Sequence, residues 1–265
     1  SRDALSVKLA QLESLGLDDL GVFFDDMKGD LPELAGRQVA IIHWIAERTT
    51  AARVIACPSY YTDDPVLDRV FGHRPANYLE DLGQGLDPAI ELMWTGEEVC
   101  AREFSPGHLA RVAEQMRRKP FLWDNYPVND GPRMSPHLHL RAFTGRPAAM
   151  GAEIAAHGIN TASQAVLSQI PALTLAESYR EGPRYEYLGA FRRAAVAVLG
   201  PDLADGVERT LLLLEDAGLR GITPAQHERL RSGARYLEAE RCQCRGAFFG
   251  TVRLALAHRQ RQRYQ

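Results

Sequence analysis

The sequence lacks the features that direct a protein to a membrane or to nucleic acid. No stretch approaches the roughly 20 apolar residues of a membrane span, and the first residues have no apolar run like that of a secretory signal. The 34 acidic residues nearly balance the 31 basic ones, giving a net charge of −3. Because these charges are interspersed, we expect neither nucleic acid nor a membrane among the partners. We interpret the short basic tail, residues 258–263, as a solvated helix end.

Cysteine is also scarce. The four cysteines are too few and too dispersed for a disulfide framework, and Cys242-x-Cys244 is one residue tighter than the usual zinc or redox spacing. We expect reduced, structural cysteines. This favours a cytoplasmic location, although exported enzymes without disulfides exist and secretion stays open.

Motifs of several enzyme classes are missing. The sequence has no glycine-rich phosphate loop and no Gly-x-Ser-x-Gly elbow, which excludes nucleotide-binding proteins and serine hydrolases of the usual kind. His137-x-His139 resembles the paired histidines of metal-dependent barrel hydrolases, but it lies in a loop-like stretch rather than on a first strand. We therefore expect no metal and no cofactor, and keep a metal-dependent hydrolase that uses Asp25, Asp26 and these histidines as an alternative.

Short apolar runs recur along the first two thirds of the chain, each followed by small or polar residues and then by an amphipathic stretch of helical period. Strands that alternate with helices imply right-handed parallel crossovers, and a repeat of this size fits the (β/α)8 TIM-type barrel. The runs are separated by roughly 31 to 36 residues and span 20–24, 53–56, 89–93, 120–123 and about 153–158.

Helical patterns lie between the runs and after them. Residues 34–47 and 106–117 read as helices, the second with Ser105 as N-cap and Pro106 at the first helical position. We interpret residues 163–179 as the last barrel helix. Further helices are predicted at 190–199, 203–217 and 224–261, broken near Gly200-Pro201 and 218–223. The chain is thus predicted to comprise a barrel portion, 1–180, and a helical appendage, 181–265.

Two adjacent carboxylates, Asp25 and Asp26, follow the first apolar run. Desolvation and mutual repulsion at a buried strand end should raise the pKa of at least one of them, as a general acid requires. Two structural alternatives stay open at this point, namely that one Asp caps the next helix or that both bind a divalent ion.

The other runs also end in chemically rich segments. Because the carboxyl ends of parallel strands converge on one face, we expect these segments to meet around one pocket. The aromatic rings of Tyr61, Trp94 and Trp123 suit the faces of a sugar, although a ring at such a position, taken alone, is more often core or rim packing. Asparagines and Asp130 could bind sugar hydroxyls, although Asn129 could simply form an Asx-turn. The segments are Cys57-Pro58-Ser59-Tyr60-Tyr61, Trp94-Thr95-Gly96, Asp124-Asn125 with Asn129-Asp130, and Asn160.

Taken in order, Phe23-Phe24-Asp25-Asp26 and these four segments resemble glycoside hydrolase family 84, which contains the O-GlcNAcases and the bacterial hyaluronidase-like β-N-acetylglucosaminidases. The resemblance extends over residues 1 to about 180. It implies a catalytic barrel acting on glycoproteins, glycopeptides or glycans that carry β-linked N-acetylglucosamine.

The resemblance also implies roles for individual residues. Asp25 would orient the 2-acetamido group, whose carbonyl oxygen attacks the anomeric carbon to give an oxazoline. Asp26 would protonate the leaving oxygen and then activate water, so that the β configuration is retained. The implied substrate-binding set is Tyr61 and Trp123 at the acetamido pocket, Asn125 and Asn160 on the sugar or its amide, Asp130 on the 4- and 6-hydroxyls, and Trp94 and Thr95 from the third strand end.

The sequence departs from the family pattern in two respects. The family barrel has eight strands, whereas only strands four to eight are recognised here, and the family's early sugar-binding glycine and lysine have no counterpart. Five strands cannot close an eight-stranded barrel. We therefore expect that the missing third of the barrel lies on a separate chain, has been cut away, or was left out of this numbering. Without it, a sugar-binding module that lacks turnover is the second alternative. Tyr60 is the other departure and affects the local shape of the pocket.

Overall fold

The computed structural model describes residues 2–240, with side chains up to residue 232. The predicted continuation of the last helix to residue 261, Cys242-x-Cys244 and the basic tail lie outside the described residues. No described helix combines the length and hydropathy that crossing a bilayer requires.

Five short strands form one sheet in the order β1-β2-β3-β4-β5. The sheet is parallel and makes a half-barrel, so the predicted fold class, a partial TIM-type barrel with a helical region, is confirmed. Register is continuous from β1 to β2, where Asp19 to Phe23 lie opposite Arg53 to Cys57. The strands are β1 Asp19–Phe23, β2 Arg53–Cys57, β3 Glu91–Trp94, β4 Phe121–Asp124 and β5 Ala156–Ile159.

Helices separate the strands and follow them. A short 3-10 segment, Gly182–Arg184, follows α7, another, Ala148–Glu153, precedes β5, and a π-helical turn, Leu212–Ala217, follows α9. The α-helices are α1 Arg2–Glu13, α2 Leu34–Ala46, α3 Val66–Phe71, α4 Tyr78–Gly85, α5 Pro106–Met116, α6 Gly131–Met134, α7 Gln169–Glu181, α8 Tyr187–Leu199, α9 Pro201–Leu211, α10 Gly218–Gly221 and α11 Pro224–Glu240.

The described chain divides into two compact units. The first comprises the described residues up to Asp124 together with Ala149–Gly158. Its core lies where the helix-facing sides of the strands pack against the helices, as the fully buried Leu92 and Trp94 of β3 show. Ser105 caps α5 as predicted, because its hydroxyl accepts a hydrogen bond from the backbone N–H of His108.

The second unit comprises Asn125–Ala148 and the described residues from Ile159 onward. Helices α7, α8 and α9 pack side by side around a core that includes Ile170, Phe191 and Val207. The predicted break at Gly200-Pro201 is confirmed. Gly200 takes a positive φ of 77° and Pro201 opens α9, the positions at which glycine ends a helix and proline begins one.

One predicted boundary is wrong. The last barrel helix begins at Gln169, not at Ser163. Pro171 explains the shift, because its ring and its missing N–H are tolerated only in the first turn of a helix. A helix that began at Ser163 would place Pro171 in its interior, whereas a start at Gln169 places it in the first turn. Residues 163–168 instead form turns, with the backbone N–H of Ser168 donating to the carbonyl of Gln164.

Candidate active site

The carboxyl pair lies immediately beyond β1, where Phe24 donates its backbone N–H to the carbonyl of Cys57 on β2. Asp25 is half-buried and Asp26 is exposed. Asp26 adopts a positive φ of 54°, which few residues other than glycine take up. Such conformations persist only where the surroundings enforce them, and they concentrate at functional sites.

Burial raises the pKa of Asp25, and the negative charge of Asp26 raises it further, while a backbone hydrogen bond acts in the opposite direction. The prediction that at least one carboxyl of the pair has a raised pKa is therefore confirmed. The physical cause is the one expected, since a partly desolvated carboxyl beside a second carboxyl is harder to ionise.

Tyr61 links the end of β2 to the carboxyl pair. Its hydroxyl donates to Oδ1 of Asp26 at 3.2 Å. Burial, followed by the charge of Asp26, raises the pKa of Tyr61, so its phenol keeps the proton that it donates. The backbone N–H of Thr95 in turn donates to the carbonyl of Tyr61 at 2.8 Å, which ties the end of β3 to the same group.

A buried polar network holds the chain just before the carboxyl pair. The Ser59 hydroxyl donates to the carbonyl of Phe24 at 2.8 Å and accepts from the side-chain amide of Gln38 at 2.8 Å. The Tyr78 hydroxyl donates to Gln38 Oε1 and accepts the backbone N–H of Ser59 at 3.0 Å. Two helices, α2 and α4, thus fix the strand end that carries the two aspartates. Neither Gln38 nor Tyr78 was among the predicted site residues, because Gln38 lies inside a predicted helix and no element was predicted around Tyr78.

Trp94 and Thr95 have almost no exposed surface. Trp94 is 0% exposed and its indole N–H donates to Nε2 of His108 at 3.0 Å. Burial lowers the pKa of His108, so its ring is neutral at neutral pH and accepts this hydrogen bond. In this geometry Trp94 supports the loop that carries Thr95, and its predicted sugar contact has no support.

Trp123 is half-buried at the end of β4, and its ring meets Phe23 edge to face at a centroid distance of 5.7 Å. Its neighbour Asp124 is 0% exposed, and Oδ2 of Asp124 lies 3.0 Å from Nε2 of His157 on β5. This buried pair, whose residues were not predicted as a partnership, anchors the segment between two predicted substrate residues, Trp123 and Asn125.

The remaining predicted residues belong to the second unit. The side-chain amide of Asn160 donates to Oδ1 of Asn125 at 3.0 Å, so these two form a pair. Asn129 donates to the carbonyl of His137 at 3.1 Å and to Gln164 at 3.0 Å. Asp130 is exposed at the start of α6.

The histidines of His137-x-His139 bind main-chain oxygens. Nδ1 of His137 lies 2.7 Å from the carbonyl of Glu215, and Nδ1 of His139 lies 3.0 Å from that of Val128. Among the side chains that the structure describes, no three of His, Cys, Asp or Glu are grouped so that they could hold a metal ion.

The two cysteines whose side chains the structure describes form no disulfide, and Cys57 is buried whereas Cys100 is exposed. Cys57 ends β2 close to the carboxyl pair. Burial raises its pKa, and the charges of Asp25 and Asp26 add to the effect. The thiolate is therefore disfavoured, and Cys57 acts as a small packing residue.

A cavity of about 610 Å³ lies elsewhere in the first unit, near the starts of β2 and β3. Its lining includes His43, Glu47, Val54 and Ile90 but no predicted site residue. It is at the amino ends of the strands, opposite the carboxyl pair, and we assign it no part in the chemistry.

The parallel half-barrel places two adjacent carboxyl groups beyond the carboxyl end of β1, on the face where TIM-type barrels carry their active sites. A family model described as beta-N-acetylglucosaminidase matches residues 1–211, and the chain belongs to this family of glycoside hydrolases. The match covers the described strands, so the resemblance to O-GlcNAcases noted from the sequence is confirmed.

Individual relatives agree. The chain is 27% identical over 151 residues to the Protein O-GlcNAcase of Mus musculus and to that of Rattus norvegicus, covering 54% of this chain and 16% of each relative. A mutant form of the Thermobaculum terrenum O-GlcNAc hydrolase has a TM-score of 0.69 at 25% identity, covering 90% of this chain and 55% of that one. The structure of CpGH84B shares the fold, with a TM-score of 0.65 at 22% identity over 79% of this chain and 36% of that one. This chain thus spans only part of the length of each of these relatives.

Proposed function

We propose that the chain forms most of the catalytic barrel of a retaining β-N-acetylglucosaminidase. The reaction would remove β-linked N-acetylglucosamine from protein Ser or Thr or from the ends of glycans. One observation carries the proposal: two adjacent carboxyl groups, Asp25 and Asp26, lie immediately beyond the end of β1, and Asp26 accepts a hydrogen bond from Tyr61.

The two carboxyl groups take different parts in the proposed reaction. Asp25 accepts the amide N–H of the 2-acetamido group and orients its carbonyl oxygen, which forms a bond to the anomeric carbon. Asp26 gives a proton to the glycosidic oxygen as the bond from that oxygen to the anomeric carbon breaks. As the ring closes, the amide nitrogen passes its proton to Asp25 and an oxazoline results. Asp26 then removes a proton from a water molecule that attacks the same carbon. The bond from that carbon to the oxazoline oxygen breaks and Asp25 returns its proton to nitrogen, which restores the acetamido group with the β configuration retained.

The sugar contacts are proposals of the same kind. Tyr61 has one polar atom directed to the carboxyl pair, and Trp123 keeps part of its ring exposed, as an acetamido pocket requires. Asn125 and Asn160 present a paired set of amide donors and acceptors, and Asp130 offers an exposed carboxylate for sugar hydroxyls. Thr95, which is buried, would act through the hydrogen bond that its backbone N–H donates to the carbonyl of Tyr61.

We further propose that additional β/α units, on a longer polypeptide or on another chain, pair with β1 and complete the barrel. Among the described strands β1 is hydrogen-bonded to β2 alone. An apolar parallel strand with one side unpaired is an unstable arrangement that proteins normally cover.

The inner face of the half-barrel supports this second proposal. Phe23, which points to Trp123 across the sheet, is 50% exposed. Oε2 of Glu91, at the start of β3, is buried and has no hydrogen-bond partner among the described residues. Arg53 binds Asp19 at 2.6 Å and approaches the other carboxylate oxygen of Glu91, Oε1, at 3.8 Å, so a donor on an added strand would satisfy Oε2.

The roles of the two aspartates are tested with Asp25→Asn and Asp26→Asn in the natural enzyme. Loss of the acid should slow substrates with poor leaving groups, such as methyl β-N-acetylglucosaminide, by about 10²- to 10⁴-fold, and 4-nitrophenyl substrates much less. Loss of the acetamido partner should slow both substrates by a similar factor. Asp30→Asn, which removes an exposed carboxylate paired with Lys28 at 3.5 Å, is the matched control.

Equal behaviour of both variants with every leaving group would contradict the division of labour. Binding of N-acetylglucosamine without hydrolysis of either substrate would instead identify a sugar-binding module. The barrel proposal is checked by intact mass: the active natural species should exceed 29.4 kDa or contain a second chain. A natural chain of 29.4 kDa that is active alone would contradict it.

A further inference from the structure

The segment that carries Asn125 and Asp130 is held by the helical region that follows the barrel portion. We define the substrate loop as residues 125–141. Its backbone is joined to the π-helical turn Leu212–Ala217 and to α10, because Leu138 donates to the carbonyl of Leu214 at 2.9 Å and Leu219 donates to that of Pro136 at 2.8 Å. These contacts lie within the second unit.

Glu215, in the middle of the π-helical turn, is the main side-chain contact. Its Oε2 accepts the backbone N–H groups of Leu140 and Arg141, each at 3.0 Å. Its other oxygen lies 3.4 Å from the hydroxyl oxygen of Tyr126, whose single proton is shared between this oxygen and the nearer carbonyl of Arg141, at 2.8 Å. The Glu215 side chain is only 11% exposed, so these hydrogen bonds are weakly screened.

Both ends of the segment from Asn125 to Asp130 are therefore fixed. Tyr126, next to Asn125, packs edge to face on Phe143 at 5.0 Å. At the other end Asn129 donates to the carbonyl of His137, and the His137 ring binds the carbonyl of Glu215. Asp130 directly follows Asn129.

The fit of the loop against the turn is close. Gly218, just beyond the π-helical turn, has a positive φ of 59°, and a Cβ there would approach the His137 ring within 2.8 Å and the Pro136 carbonyl within 2.9 Å. Only glycine combines that backbone with so near an approach. π-helical turns are rare and concentrate at functional sites, where they redirect side chains.

We propose that Glu215 is a positioning residue for substrate recognition: by binding Leu140, Arg141 and Tyr126 it sets the geometry of the substrate loop and hence of Asn125 and Asp130. The inference rests on the proposed function. It assigns the C-terminal helical region a part in binding the N-acetyl sugar.

The test compares Glu215→Ala, Glu215→Gln and the control Glu208→Gln in the active natural enzyme. Glu208 lies in the same helical region and pairs with Arg192 on α8 at 2.6 Å. Glu215→Ala should raise KM for the 4-nitrophenyl substrate about ten-fold with kcat within about two-fold. The variant loses the hydrogen bonds that position the substrate loop, and the contacts of that loop with the sugar are made in the ground state as well as in the transition state. Glu215→Gln keeps one acceptor oxygen and should restore part of the affinity. Hydrogen exchange at the Leu140 and Arg141 amides should accelerate in Glu215→Ala and not in Glu208→Gln.

Two results would overturn the inference while leaving the proposed function intact: unchanged exchange at both amides, or faster exchange with KM equal to that of Glu208→Gln. If the parent binds N-acetylglucosamine without hydrolysing the substrate, calorimetric affinity replaces KM, and equal affinities of the parent and Glu215→Ala overturn the inference. A parent that neither hydrolyses nor binds overturns both proposals.

Discussion

The buried pair between Asp124 and His157 gives a quantitative expectation for stability. Replacing His157 with Leu removes one partner and leaves the Asp124 carboxylate, which is 0% exposed, beside an apolar side chain. Losing a buried hydrogen bond to a charged group typically costs ~1.5–3 kcal/mol. For a chain of this size each kcal/mol lowers the melting temperature by about 2–4 °C, so we expect a fall of roughly 3–12 °C.

Urea unfolding followed by tryptophan fluorescence measures this cost directly. The three tryptophans, Trp44, Trp94 and Trp123, all lie in the first unit, and Trp123 adjoins Asp124. The signal therefore reports the unit that contains the pair. Glu208→Gln, which breaks a largely exposed pair with Arg192 in the second unit, serves as control and should cost less than ~1 kcal/mol.

A double-mutant cycle completes the test. The variant carrying both Asp124→Leu and His157→Leu should lose less free energy of unfolding than the sum of the two single variants, because neither buried polar group is then left behind. The reasoning is refuted if His157→Leu costs less than ~1 kcal/mol, or if the two single effects are additive.

Two further predictions concern stability. Gly83→Ala in α4 should lower the free energy of unfolding by ~1–3 kcal/mol, because the added Cβ would lie 2.5 Å from the backbone of Met116. Gly36→Ala in α2, whose Cβ would have no atom within 4 Å, should raise it by ~0.5–1 kcal/mol. Urea unfolding measures both changes, and equal effects would contradict the packing argument. Because native Asp25 holds its proton to a higher pH than the unfolded chain, stability falls as pH rises from the ordinary value of 3.8 through the raised pKa. Asp25→Asn should therefore be more stable than the parent at pH 7, with an advantage that shrinks toward pH 3.8, and a pH-independent difference would argue against a raised pKa.

The strands could be predicted because each is a short apolar run with a polar end. Four of the five begin within two residues of the predicted start, and β5 begins three residues later than predicted. Ser105-Pro106 likewise marks the start of α5, since a capping hydroxyl followed by proline leaves little alternative. The start of α7 was also encoded, in Pro171, but helical periodicity alone does not reveal it.

The sequence pattern does not predict on which face of the sheet a strand residue lies. Strands of a parallel barrel are buried on both faces, so apolar character does not separate the inner face from the helix-facing one. Trp94 therefore reads as a sugar-facing ring although it packs behind the sheet against His108. The partnership of Asp124 with His157 was equally hidden, because it joins residues on two strands and exists only once their register is set.

The hydrogen bonds among Ser59, Gln38 and Tyr78 have a consequence for inhibition. All of their donors and acceptors are protein groups, so the position of the peptide carbonyl of Phe24 does not depend on a substrate contact. A ligand that binds there does not have to order this part of the site, so less of its binding free energy is lost to ordering the protein. Under the proposed function, rigid sugar mimics should profit most, and substitutions of Gln38 in α2 should weaken their binding although Gln38 is buried.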